Sequence, residues 1–319
     1  MPSQQQHQEP EKRAYATLIT RSSYLAGVIV LSYTLAKQGS IYPLIVLYTD
    51  NLPAASVAAL EAEGRHTNLI AKPIALLQPA ENVKVNLIAE RFGDTWTKLR
   101  VFELFDYDTV CYLDADMIVC KNMDAVFATA LPLPGRDWLA ANHACVCNLD
   151  HDVWAPADWV PENCAYTPLA HPSALSSPTP VTPSSPPTHH LLNSGMFLFH
   201  PSAQLWQKML GFFNTTPKLG EYKFPDQDFL ADFFAGSWSS VGWQFNALKT
   251  MRYWHPGMWR DGEVVCLHYI VDKPWAARVG GDGRAGYKGM DGVTHGWWWE
   301  VYGEWIEERE MMGERQLVE

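Results

Sequence analysis

Thr109-Val110-Cys111-Tyr112-Leu113-Asp114-Ala115-Asp116 is an apolar, β-branched and aromatic run that breaks abruptly into two acids. The spacing predicts a buried strand over Thr109 to Leu113, with Asp114 and Asp116 delivered at its carboxyl end. Two residues apart in an extended chain, both carboxylates project from one face, where a single divalent ion can take an oxygen from each. Oxygen donors of this kind select Mg²⁺ or Mn²⁺, and such an ion can bridge two phosphates and stabilise charge on a departing diphosphate. The competing reading of a bare D-x-D is a pair of solvated turn acids. Position after an apolar strand favours a site, because open α/β sheets bind ligands at the carboxyl ends of their strands.

Working outward, the flanking chain supplies such a sheet. Ala14 to Ile19, Ile41 to Tyr48 and Leu69 to Ile74 read as strands, alternating with helices over Tyr24 to Lys37, stopped by Gly39, and Pro53 to Glu63. Thr97 to Phe105 reads as an amphipathic helix and Trp138 to Asn142 as another strand. This predicts an α/β protein with a Rossmann-like, mostly parallel central sheet flanked by helices. Downstream, 167–189 is a Pro/Ser-rich loop insertion. A strand over Leu191 to His200, helices over Ser202 to Phe213 and Pro225 to Phe234, and a late strand over Glu263 to Ile270 follow. An aromatic, acidic helix over 296–312 closes the chain. The polar stretch 1–13 reads as a disordered tail, and 14–319 as a single domain.

A formal net charge of −11 opposes nucleic acid and anionic membrane, which need a general positive field. No apolar run is long enough to span a bilayer, and the polar N-terminus does not resemble a secretory signal, so a cytoplasmic location is expected. The six cysteines read as reduced, buried thiols. Cys145 and Cys147 form a C-x-C without a second pair at zinc spacing, so no metal cluster is expected there. Trp297-Trp298-Trp299, Tyr302 and Trp305 admit two readings: a stacking platform for a sugar acceptor, or burial of a closing helix.

In order along the chain stand Thr17-Leu18-Ile19-Thr20 with Tyr24, Thr97-Lys98-Leu99-Arg100, Tyr112-Leu113-Asp114-Ala115-Asp116, Asn193-Ser194-Gly195, Asp226-Gln227, and His268 with Lys273-Pro274-Trp275. Together, over roughly Ala14 to Trp275, they resemble glycosyltransferase family 8, the family of glycogenin and plant galactinol synthase. The resemblance implies a GT-A nucleotide-diphospho-sugar transferase fold, a UDP-glucose or UDP-galactose donor, Mn²⁺ with Mg²⁺ as the alternative, and retention at the anomeric carbon. It places Leu18, Thr20 and Tyr24 at the uridine, and Asp114-Ala115-Asp116 with His268 at the metal. Lys273 falls on the pyrophosphate, Asn193 and Ser194 on the sugar or acceptor. Lys98, Asp226 and Gln227 fall on the catalytic face, with Lys98 reaching donor and carboxylate together.

Read as residues alone, Tyr24 could simply pack the first helix, His268 could be a core histidine and Lys98 a solvated helical lysine. Asn193-Ser194-Gly195 could be an ordinary turn. Tyr42-Pro43 and Asp226-Gln227-Asp228-Phe229-Leu230 resemble the galactinol synthase branch, which points to galactose transfer onto a polyol. The partners implied are a UDP-sugar donor and a small polyol, saccharide or protein acceptor, and a homodimer stays open. A sugar-1-phosphate nucleotidyltransferase would need a Gly-rich basic loop after the first strand, which Ile19 to Tyr24 lacks. A noncatalytic nucleotide-sugar-binding protein is the remaining rival.

Overall fold

The structure, a computed structural model, describes residues 11–80 and 90–314. The tail expected over 1–13 lies outside the described residues up to residue 10, and Arg13 already belongs to the first strand. Strands β1 (Arg13–Ile19), β2 (Leu44–Tyr48) and β3 (Leu69–Pro73) alternate with helices α1 (Leu25–Lys37) and α2 (Ala54–Glu63). Ala14, Tyr15, Ala16 and Thr17 are all buried, so β1 is covered on both faces, which is why it shows no in/out alternation. Every residue of α1 from Gly27 to Leu35 is buried, as a helix apolar all round requires. Gly39, at φ +74°, lets the chain turn out of it. The second strand begins three residues later than the sequence suggests: Ile41 is 75% exposed and its N–H goes to Asp124, while Pro43 has no N–H to give.

The helix predicted over Thr97 to Phe105 is instead a run of 3-10 turns over Glu90–Glu103. Three residues per turn line up Trp96, Leu99 and Phe102, all buried, and Thr97, Val101 and Leu104 are buried as well. On the other side Arg100 and Glu103, three apart and paired at 3.0 Å, are partly exposed, a spacing that matches the 3-10 repeat rather than the α-helical one.

The chain continues through β4 (Thr109–Leu113), β5 (Met117–Val119), α3 (Ala125–Thr129), β6 (Leu139–His143), β7 (Leu192–Phe199), α4 (Ala203–Thr215) and α5 (Pro225–Phe233). It ends with β8 (Trp238–Ser240), β9 (Ala247–Leu248), α6 (Met251–Trp254), β10 (Cys266–His268) and α7 (Gly292–Met311). Seven strands form one sheet in the order β3-β2-β1-β4-β7-β6-β8, in which β7 alone is reversed. A small sheet, β5-β10-β9, stands beside it. The late strand is short because Asp261–Glu263 forms a 3-10 turn and β10 meets β5 only from Cys266↔Val119 to His268↔Met117. Ser202 caps α4, its Oγ accepting from the Leu205 N–H at 3.1 Å.

The segment 167–189 has no strand of its own, but it is packed down: Ala174 and Thr188 are buried, and His143 Nε2 bonds the Thr179 carbonyl at 2.8 Å. The closing helix begins at Gly292 rather than Gly296 and docks on α2 through a fully enclosed pair, Arg309 with Glu63. Among the described residues no helix is long and apolar enough to cross a membrane.

Candidate active site

The two acids sit where the sheets meet. The Asp114 N–H donates to the Gly195 carbonyl at 2.8 Å, fastening the end of β4 to β7, and the Asp116 carbonyl accepts from the Tyr269 N–H at 2.9 Å, just past β10. This brings the His268 Nε2 to 3.4 Å from Asp116 Oδ1 and 3.8 Å from Asp114 Oδ2. The imidazole fits because residue 195 is glycine: a Cβ there would lie 2.3 Å from His268 Cε1. Gly27 has a similar task, since its Cβ would lie 2.4 Å from the Ala115 carbonyl oxygen.

A chain of amides fixes the histidine tautomer. Asn193 Nδ2 donates to Gln227 Oε1 at 3.2 Å, Asn246 Nδ2 donates to Asn193 Oδ1 at 2.9 Å, and the Asn246 Oδ1 faces His268 Nδ1 at 2.9 Å. With its amide nitrogen already committed, Asn246 accepts the Nδ1–H, and the Nε2 lone pair is aimed at the two carboxylates. Two carboxylates and an oriented imidazole nitrogen are a donor set suited to a Mn²⁺-type ion, so these residues fit the metal that the sequence implies. Asn246→Ala is expected to weaken divalent-cation binding, tested with Mn²⁺, by about 10- to 100-fold, read by titration calorimetry on the folded variant. Unchanged affinity would remove the tautomer assignment.

Lys98 is buried, not solvated. Its Nζ lies 2.9 Å from Asp114 Oδ1, 2.5 Å from Asp226 Oδ2 and 3.3 Å from the Ser194 carbonyl. Burial alone would lower its affinity for the proton, but the Asp114 and Asp226 carboxylates outweigh it and hold the ammonium above its ordinary value. Ser194 Oγ donates to Asp226 Oδ2 at 2.7 Å, and Tyr112 OH donates to Asp114 Oδ1 at 3.1 Å. Lys273 donates to Asp116 Oδ2 and, at 2.8 Å, to the Tyr269 carbonyl. Burial pushes the Asp116 carboxyl up, yet the Lys273 ammonium prevails and holds it well below the usual carboxylate range.

These groups line one cavity of about 540 Å³, within the range of small-molecule sites, and every site residue predicted from the sequence lies on its wall. Leu18, Thr20 and Tyr24 form one side, with Tyr24 edge-on to Trp275 at 5.7 Å and Arg21 paired to Asp94 at 3.0 Å. The sequence reading missed Tyr112, Asn246 and Lys249. Lys249 is buried on the wall and its Nζ reaches Asp291 at 2.7 Å, Asp272 at 3.1 Å and His295 at 3.3 Å, so an ammonium already fills that acidic cluster.

The structure bears on two further readings of the sequence, and in the first it favours burial of the closing helix. None of Trp297, Trp298, Trp299, Tyr302 and Trp305 lines the cavity; Trp298 and Trp305 are buried against the body, and Trp299 donates its indole N–H to the Pro274 carbonyl at 3.0 Å. The second concerns the cysteines. Cys145, Cys147 and Cys164 converge with His255 so that their ligating atoms all lie within 4.8 Å of one another. Local spacing hid this, because two of the four groups come from distant segments.

The profile of Glycosyl transferase family 8 matches residues 16–278. Galactinol synthase 4 of Arabidopsis thaliana is 27% identical over 305 residues, covering 95% of this chain and 84% of its own. Galactinol synthase 1 of Solanum lycopersicum is 28% identical over 265 residues, covering 82% and 73%. Among solved structures, the galactosyltransferase LgtC, crystallised with donor and acceptor sugar analogues, superposes with a TM-score of 0.61 at 18% identity, covering 91% of this chain and 95% of that one. The glycosyltransferase GlyE of Streptococcus pneumoniae TIGR4 superposes with a TM-score of 0.55 at 19% identity over 93% of this chain; the match spans 64% of GlyE, under two thirds of its length. A sheet ending in paired acids, a GT-A likeness along nearly the whole length and a family match over most of the sequence agree: this chain is a glycosyltransferase and belongs to glycosyltransferase family 8.

Proposed function

We propose that the protein is a retaining hexosyltransferase that moves galactose, or glucose, from a UDP-sugar to an acceptor hydroxyl, with a polyol as the acceptor. The observation that carries this is the grouping of Asp114, Asp116 and His268 beside the Lys273 ammonium, in a cavity whose wall also holds the buried Lys98–Asp226 pair. The galactinol synthases among the relatives support the choice of sugar and acceptor class.

Leu18, Thr20 and Tyr24 receive the uridine at the end of β1, and Lys273 presents a point charge to the pyrophosphate. A Mn²⁺ or Mg²⁺ held by Asp114, Asp116 and His268 would supply Lewis-acid stabilisation of the departing diphosphate. Lys98 stays protonated and keeps Asp226 in place from one side while the Ser194 hydroxyl does so from another. Asp226 and Gln227 then face the transferred sugar, where a carboxylate stabilises an oxocarbenium-like transition state or attacks it. Front-side attack by the acceptor and double displacement both retain configuration. Stacking of the acceptor falls to Trp154, Trp159, Tyr253 and Trp254, whose rings line the cavity.

A panel of UDP-hexoses with Mn²⁺ and a series of linear and cyclic polyols, read as UDP release, tests the assignment. UDP-galactose with a polyol is expected to turn over fastest, with slow donor hydrolysis when acceptor is omitted. No UDP release from any donor would identify a noncatalytic binder. Pyrophosphate-dependent product instead would identify a nucleotidyltransferase.

A further inference from the structure

We infer that Cys145, Cys147, Cys164 and His255 form a structural zinc site, distinct from the acid–imidazole cluster of the active site. The donor chemistry differs in kind: three thiols and one imidazole suit a thiophilic ion, whereas the oxygen-rich cluster of Asp114 and Asp116 suits a hard one.

The separations between the donor atoms match those of a tetrahedral shell. Zn–S bonds of about 2.3 Å and Zn–N bonds of about 2.0–2.1 Å, at tetrahedral angles, imply S···N separations of about 3.6 Å and S···S separations of about 3.8 Å. The His255 Nε2 lies 3.3 Å from Cys145 Sγ, 3.4 Å from Cys147 Sγ and 3.8 Å from Cys164 Sγ, and the Cys145–Cys164 sulfurs are 3.9 Å apart. Cys147, Cys164 and His255 are buried, so four protein donors close the shell with little room for a water ligand. On binding, each thiol gives its proton to solvent and the neutral imidazole gives a lone pair: one Zn²⁺ replaces three protons.

The placement supplies a purpose. Cys145 and Cys147 follow β6, Cys164 follows the 3-10 turn Pro161–Asn163, and His255 follows α6. Between Cys147 and Cys164 the chain has no strand and no α-helix, and Asn148 and His151 adopt positive φ. Yet this segment contributes Asn148, Asp150, Asp152, Trp154 and Trp159 to the cavity wall. An ion joining both ends of the segment to the end of α6 would hold that wall in shape where regular hydrogen bonding does not.

The full chain, purified from zinc-supplemented cells and passed through a desalting column, is expected to retain about one zinc per chain by mass spectrometry of the metal. Cys164→Ser and His255→Gln should each cut the zinc content at least tenfold, while Asp116→Asn should keep it. Cobalt exchanged into the wild type should show tetrahedral d–d bands with thiolate-to-metal charge transfer, a readout that holds even where the ligand variants fail to fold. A wild type that carries no zinc and takes none up against a competing chelator dye would overturn the inference. So would zinc undiminished in Cys164→Ser and His255→Gln, an octahedral cobalt spectrum, or a Cys145–Cys164 disulfide in the protein as purified.

Discussion

Asp116→Asn is expected to lower kcat/KM for sugar transfer by about three orders of magnitude, roughly 4 kcal/mol of transition-state stabilisation, with the fold intact. The substitution keeps the side chain's size and one oxygen, so the cavity changes little in shape. What it removes is charge: one anionic donor from the Asp114, Asp116 and His268 set, and the carboxylate that receives the Lys273 ammonium. In the proposed reaction both groups act where negative charge grows on the leaving diphosphate, so the loss is expected on kcat as well as on donor affinity. A surface-facing aspartate would make this change structurally mild, but Asp116 is only 6% exposed, so a stability loss of about 1 kcal/mol is anticipated.

The sign of its pH dependence follows from the depressed folded-state value. Asp116's contribution is fully present above its unfolded value of 3.8 and fades as pH falls through the lower folded one, so the stability gap between variant and wild type should be flat near neutrality. Full turnover of the variant in saturating Mn²⁺ would remove the metal assignment.

What could be read in advance depended on how local the signal was. Asp114 and Asp116 follow a single apolar strand, so one stretch carries both the fold clue and the chemistry. Lys98, Asp226, Asn193 and His268 were reachable only through resemblance, since a lysine in a 3-10 run and a histidine at the end of a three-residue strand have bland readings by themselves. Asn246 was invisible: its value lies in accepting from His268 Nδ1 across the small sheet, and no spacing rule encodes that. The convergence of the thiols with His255 was illegible for the same reason, since His255 is brought to the cysteines by tertiary packing alone. Both readings of the tryptophan-rich helix were open because its partner, Glu63, sits in an Ala-rich helix where it looks like a surface acid.

That partner sets the second large effect: Arg309→Met is expected to destabilise the protein by about 3–5 kcal/mol. Glu63 is 0% exposed and Arg309 2%, and they meet side-on, Nη2 to Oε1 at 2.7 Å and Nε to Oε2 at 3.0 Å, with the Trp305 indole N–H adding a third bond to Oε2 at 3.0 Å. Methionine fills much of the arginine's volume, so packing is not the main loss. Glu63 is left as a buried carboxylate with one neutral donor, and that uncompensated charge is the cost. If so, Glu63→Leu with Arg309→Met should recover most of the stability, because an apolar pair of similar volume has no charge to desolvate. Urea midpoints at constant m-value measure both variants. Because the aromatic side chains of α7 lie off the cavity wall, the folded single variant should keep its turnover at low temperature. A single variant within about 1 kcal/mol of wild type would mean that water or a proton reaches Glu63, and that the α2–α7 contact is held by its tryptophans rather than by its ion pair.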